Sequence, residues 1–230
     1  MVLFCLPYAG GSEGIYFNWN KYLDSSISLY PISLKGRTKR FNEELYNTLE
    51  EEIEDIYENI KDIASKDDYV LYGHSMGSLL AYELYYKLIK EGIKKPKHIF
   101  FSGYGAPNLV ENNDDIHTLA DKEFVDKLIK LGGTPKEVIE NKELLELCIP
   151  ILRSDFKILN SYVYSEKDSK IGCDISVFNG KEDTITNDEL LGWKELSSGN
   201  CNIYEFDGDH FFINENAESI IKTINDILVK

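Results

Sequence analysis

The sequence contains no apolar run long enough to span a bilayer as a helix. Its opening residues, Met1-Val2-Leu3-Phe4-Cys5-Leu6-Pro7, have no basic leader and read as a strand rather than a signal peptide. Cysteine is scarce. Cys5, Cys148, Cys173 and Cys201 lie far apart, with no Cys-x-x-Cys and no adjoining histidine cluster, which argues for isolated thiols in a reducing cytoplasm over a disulfide framework or a zinc site. Basic residues are in deficit, 25 Lys and Arg against 40 Asp and Glu, and the net charge of −15 argues against nucleic acid or an anionic membrane as a partner. The phosphate-binding pattern Gly-x-x-x-x-Gly-Lys is missing, and so is any internal repeat or low-complexity linker.

What is present fits one domain, since 230 residues suffice for a single substantial core. β-rich runs are predicted at Val2–Leu6, Ile27–Leu34, Tyr69–Tyr72, His98–Ser102, Ile175–Asn179 and Asn202–Phe206. Several are continuously apolar, as in a parallel sheet covered on both faces. Between them run helical stripes: Tyr46, Leu49, Ile53, Ile56, Ile60 and Ile63; Leu80, Leu84 and Leu88; and Ile220, Ile221, Ile224, Ile227 and Leu228. The acidic run Glu50–Asp55 falls on the first of these and reads as a solvated face. Such β-α alternation predicts an α/β fold with a doubly wound, mostly parallel sheet flanked by helices. About seventy residues separate the strand ending near Ser102 from the strand starting near Ile175, far more than a crossover needs. Their helical pattern, Phe124, Leu128 and Leu131 followed by a Gly132-Gly133-Thr134-Pro135 break and then Leu144–Tyr162, predicts a helical lid inserted at about 106–165.

Gly73-His74-Ser75-Met76-Gly77 follows the strand Tyr69–Tyr72 and opens a helix. That context gives the short Gly-x-Ser-x-Gly pattern its weight. A nucleophilic serine must project from a strained turn, flanking glycines let strand and helix approach, and the helix N-terminus brings free amides and its dipole to a developing oxyanion. Ser75 is therefore the expected nucleophile. It needs a base. Of four histidines, His74 should point away from Ser75, His98 opens a strand too soon after the elbow, and His117, among Asn112, Asn113, Asp114 and Asp115, reads as solvated. His210, in the loop between the last strand and the last helix, leaves room for the chain order serine, acid, histidine. Asp183, at the end of Val177-Phe178-Asn179-Gly180-Lys181-Glu182-Asp183, is the expected acid, with Glu182 the alternative; Asp207 and Asp209 read as turn caps. Met76 and Ala9 are the expected amide donors of the oxyanion hole, Ala9 being favoured over Tyr8 in the loop Leu6-Pro7-Tyr8-Ala9-Gly10-Gly11-Ser12.

Together these segments resemble, nearly end to end, the type II thioesterases that edit nonribosomal peptide and polyketide synthases. Leu3-Phe4-Cys5-Leu6-Pro7-Tyr8-Ala9-Gly10-Gly11-Ser12 is similar to that family's first strand and oxyanion loop, and Gly73–Gly77 to its nucleophile elbow. Phe124–Pro135 and Pro150-Ile151-Leu152-Arg153-Ser154-Asp155-Phe156 resemble its lid signatures, and Gly180-x-x-Asp183 with Gly208-Asp209-His210-Phe211-Phe212 its triad loops. The chain departs from the family at Lys35-Gly36-Arg37, where Pro-Gly-Arg is usual. The resemblance implies an α/β-hydrolase fold and hydrolysis of acyl groups from the phosphopantetheine thiol of an acyl or peptidyl carrier protein, with no metal or cofactor. An esterase or acyl-CoA thioesterase acting on free small molecules is the rival reading. A cytoplasmic monomer is expected.

The densest basic stretch, Lys35-Gly36-Arg37-Thr38-Lys39-Arg40, follows a predicted strand and should reach the carboxyl edge of the sheet. Arg37 and Arg40 either meet the pantetheine phosphate or an acidic carrier helix, or neutralise the Glu50–Asp55 helix.

Overall fold

A computed structural model describes residues 1–110, 115–132 and 136–229. The expected surroundings of His117 at Asn112, Asn113 and Asp114, and Gly133-Thr134-Pro135 of the expected break, lie outside the described residues.

Six strands, β1 (Val2–Leu6), β2 (Ser28–Pro31), β3 (Tyr69–His74), β4 (His98–Ser102), β5 (Asp174–Gly180) and β6 (Cys201–Phe206), form one sheet in the order β2-β1-β3-β4-β5-β6. Each of its pairings is parallel, from Val2 opposite Ser28 at one side to Gly180 opposite Phe206 at the other. The second strand is shorter than the predicted Ile27–Leu34. Pro31 supplies no N–H to extend a ladder, and β2 lies at the edge of the sheet, where proline is tolerated.

Strand alternation sorts the core into two layers. Phe4, Leu6 and Leu71 face one side, against α1 (Leu49–Lys66), α2 (Met76–Lys90) and later α6 (Asn187–Leu196). Leu3, Cys5, Val70 and Tyr72 face the other, against α7 (Ala217–Leu228) and the 3-10 segment Glu13–Lys21. α1 starts where Thr48 accepts from the Glu51 N–H and acidic residues fill the first turn, satisfying free amides and the dipole. α2 is buried along most of its length, which is why its apolar residues run beyond one stripe.

The long β4–β5 connection holds a 3-10 turn (Ile116–Thr118) and helices α3 (Asp121–Leu131), α4 (Lys136–Glu140) and α5 (Lys142–Ser161). Ile116, Phe124, Leu128 and Leu152 give this insertion a small apolar cluster of its own. No helix among the described residues is long and apolar enough to cross a membrane.

The acidic run on α1 is not solvated throughout, as its composition suggests. Glu50, Glu51 and Glu54 are exposed, but Glu52 is fully buried, because it steps by four with Ile56 and Ile60 onto the inward face of α1.

Candidate active site

The turn from β3 to α2 carries Ser75 at φ 53° and ψ −119°, a strained conformation for a residue with a side chain. The flanking glycines are required by contact. A Cβ on Gly73 would stand 1.9 Å from the Gly77 carbonyl oxygen, and one on Gly77 would stand 2.1 Å from that of Leu6. The elbow is tied to β4, since the Ser75 N–H donates to Ser102 O at 2.7 Å and the Ser78 hydroxyl donates to Gly73 O and Ser102 O.

Ser75, His210 and Asp183, from three separate loops at the carboxyl edge of the sheet, converge. The Ser75 hydroxyl lies 2.9 Å from His210 Nε2, and His210 Nδ1 lies 2.8 Å from Asp183 Oδ2. With Nδ1–H donating to the carboxylate, Nε2 is left to accept the serine proton. The Asp183 side chain is 2% exposed, and its Oδ1 accepts from the Thr184 N–H at 2.7 Å, so it is held in place from both oxygens. Glu182 is exposed. Asp209 accepts from the Phe211 N–H as a local cap, and Asp207 pairs with Lys181. Met76 is the first residue of α2, so its N–H is one of the amides that a helix leaves free. Ala9 sits in the turn where the Gly11 N–H donates to Tyr8 O at 2.8 Å, beside Ser75 in the same cavity.

His74 points away from Ser75, as expected, but sequence reasoning missed its task. Its Nε2–H donates to the backbone carbonyl of His210 at 2.9 Å, which leaves Nδ1 to accept from the Ser102 hydroxyl, also at 2.9 Å. Burial, then the neighbouring His210, holds its pKa well below the ordinary histidine value, so it stays a neutral strut under the His210 loop. Strand alternation was the available signal: the residue before the elbow serine faces the opposite side. His98 is remote, at the start of β4. Its Nε2 is 2.9 Å from Ser176 Oγ, and burial pulls its pKa down to about 4. His117 is half-buried, not solvated.

Beside the triad lies a cavity of about 630 Å³ whose apolar wall comes from the insertion, including Leu128, Leu131, Val138, Cys148, Leu152, Phe156 and Leu159. Leu144 is not on that wall and is 43% exposed.

Arg37 and Arg40 of the basic stretch after β2 are both engaged within the protein, whereas Lys39 is exposed. Arg40 forms a bidentate pair with Asp55 at 2.6 and 2.7 Å and a second with Glu43. Arg37 is 4% exposed and pairs with Asp155 of α5 at 2.5 Å. The neutralising reading therefore holds for Arg40, while Arg37 has a buried partner that the sequence did not indicate.

Glu52 lies behind that pair, and neither of its carboxylate oxygens has a partner among the described residues. Burial, then the charge of Asp155, pushes its pKa up to about 8 against the opposing pull of Arg37. A carboxyl raised on folding keeps its proton in the native state while the unfolded chain has lost it. Stability therefore falls as pH rises from about 4.5 to about 8 and is level above that. Glu52→Gln removes this titration, so its Tm relative to wild type is expected to climb by at least ~2 °C across that window, measured by thermal melts. A difference that stays constant with pH would show that Glu52 does not titrate there.

The thioesterase domain model matches residues 2–228, almost the whole chain. The chain belongs to the thioesterase family. It is thus a serine hydrolase of the α/β-hydrolase type. It is 36% identical over 99% of its length, and 88% of the relative's, to LgrE of Brevibacillus parabrevis, named linear gramicidin dehydrogenase. It is 33% identical over 96% of its length, and 86% of the relative's, to the gramicidin S biosynthesis protein GrsT of Aneurinibacillus migulanus. The crystal structure of ClbQ from the colibactin NRPS/PKS pathway superposes with a TM-score of 0.94 at 33% identity, covering 98% of this chain and 95% of that one. Despite the name of the first relative, this thioesterase has no Gly-x-Gly-x-x-Gly dinucleotide fingerprint anywhere in its sequence.

Proposed function

We propose that this thioesterase removes acyl groups from the phosphopantetheine thiol of carrier proteins in nonribosomal peptide or polyketide synthesis, through an acyl-enzyme on Ser75. The observation that carries the chemistry is the unbroken chain of contacts from Ser75 Oγ to His210 to Asp183. His210 Nε2 takes the hydroxyl proton as Ser75 Oγ attacks the thioester carbonyl. The tetrahedral oxyanion is met by the N–H groups of Ala9 and Met76. The thiolate leaves with the proton that His210 carries, and the freed His210 Nε2 then takes a proton from the attacking water and returns it to Ser75 Oγ as the acid is released. Asp183 fixes the imidazole tautomer and stabilises the imidazolium without itself taking the proton.

The carrier-protein assignment draws on the kinship to GrsT, a gramicidin S biosynthesis protein, and to ClbQ, from an NRPS/PKS pathway. The apolar cavity beside Ser75 suits the acyl chain, and helices α3 to α5 act as a lid over it. Turnover of one acyl group presented on a carrier protein and on coenzyme A tests this reading. A kcat/KM at least tenfold higher on the carrier protein is expected, whereas equal values would make the protein a thioesterase of free small molecules.

A further inference from the structure

Asp155 lies in the inserted helix α5, yet its partners are in the oxyanion loop and the loop after β2. The side chain is 1% exposed. Its Oδ2 accepts from the Gly10 N–H at 2.7 Å, and its Oδ1 accepts from the Arg37 guanidinium at 2.5 Å. Arg37 donates in turn to Gly11 O at 3.0 Å. The same carboxylate–guanidinium unit thus grips the loop by the N–H of one residue and the carbonyl of the next. One turn back on α5, Leu152 packs against Gly10 so closely that a Cβ there would stand 2.4 Å from Leu152 Cδ2.

These contacts bear on Ala9 through the geometry of its turn. Tyr8–Gly11 closes by the Gly11 N–H to Tyr8 O bond, with Gly10 at φ +75°, the value of the third residue of a type II turn. A trans peptide directs its N–H opposite to its C=O, so holding Tyr8 O inside the turn aims the Ala9 N–H outward. Asp155 and Arg37 fix where that turn stands: one holds the N–H of the central peptide, Ala9–Gly10, and the other the Gly11 carbonyl, so the Ala9 N–H keeps its place as well as its direction. A carboxylate by itself beside a developing oxyanion would oppose it, and Arg37 offsets that charge. Neither residue touches Ser75, His210 or Asp183 by any hydrogen bond in the structure. Two buried charges are costly to keep for packing alone, because an apolar pair of similar volume does that as well.

We propose that Asp155 and Arg37 are positioning residues that hold the oxyanion loop with the Ala9 N–H aimed at the substrate, making the seating of α5 a condition for catalysis. This inference rests on the serine-hydrolase mechanism proposed above. It follows that α5 is the part of this lid that stays seated on the oxyanion loop during turnover.

The test compares two charge-free pairs. In R37M/D155L the hold on the Gly10 N–H is lost without leaving a buried unpaired charge. In R37M/D155N the asparagine carbonyl restores an acceptor for it. For R37M/D155L, kcat on an acyl thioester is expected to fall about 100-fold, the scale of losing an oxyanion donor, with KM within about threefold of wild type. Affinity for a boronic acid bearing the same acyl tail, which forms a tetrahedral adduct on Ser75, should fall by a similar factor. R37M/D155N should regain at least about tenfold in both. A folded R37M/D155L enzyme with kcat and boronate affinity within about threefold of wild type overturns the proposal, and so does a loss that R37M/D155N does not recover. If R37M/D155L does not fold, R37M/D155A decides, because alanine likewise offers the Gly10 N–H no acceptor and leaves no buried unpaired charge; unchanged boronate affinity in its folded fraction overturns the proposal. Fluorophosphonate labelling of Ser75 in the wild-type enzyme tests the underlying mechanism separately, since it involves none of these variants.

Discussion

Replacing Ser75 by alanine is expected to lower thioester hydrolysis by on the order of 10⁴-fold or more while the protein keeps its fold. The side chain lost is a single hydroxyl whose partner is His210 Nε2 at 2.9 Å, and no structural hydrogen bond of the elbow depends on it. The ties that hold the turn run through the Ser75 backbone N–H and through Ser78, both untouched by the substitution. Steady-state hydrolysis, thermal melts and intact-mass spectrometry after incubation with substrate check this together: activity gone, Tm within a few degrees, no acyl adduct. Activity within tenfold of wild type, or an adduct that persists, would move the nucleophile elsewhere.

The second large effect falls on the acid. Asp183→Asn is expected to cut kcat about 10⁴-fold, because an amide facing His210 Nδ1 admits the wrong imidazole tautomer and cannot stabilise the imidazolium. Asn is nearly isosteric with Asp, and the Thr184 N–H can still find the amide oxygen, so Tm should change little. Glu182→Gln, one residue earlier and exposed, should leave kcat within about twofold. Reversed effects in the two variants would make Glu182 the acid.

Much of the fold was legible because its rules are local. Continuous apolar runs such as Tyr69–Tyr72 marked buried parallel strands, and they lie where the sheet has β3 and its neighbours. The stripe through Ile53, Ile56 and Ile60 marked α1 in the same way. Gly73-His74-Ser75-Met76-Gly77 specified its own turn, since contacts of 1.9 and 2.1 Å leave no space for a Cβ at either glycine. The loops that bring His210 and Asp183 to Ser75 followed from chain order, because successive parallel strands deliver their ends to one edge of the sheet.

What the sequence conceals has a common cause. Glu52 falls in an acidic run whose composition suits a solvated face; its four-residue step to Ile56 is visible, but nothing local says that a carboxylate there is buried. Arg37 and Arg40 look equivalent in a basic stretch, yet one closes on Asp55, fifteen residues on, and the other on Asp155, 118 residues on.

By itself, then, the sequence determined what depends on periodicity, sterics and chain order: the α/β alternation, the Gly73–Gly77 turn and the edge of the sheet at which the loops of Ser75, Asp183 and His210 meet. Only the tertiary structure decided which carboxylate meets which cation, and that α5 grips the Gly10-Gly11 turn. The physical reason is that backbone preferences act over a few residues and leave a signature in spacing. Charge pairing and desolvation depend on distance in space and on what excludes water, and a linear sequence records neither for residues more than a hundred positions apart.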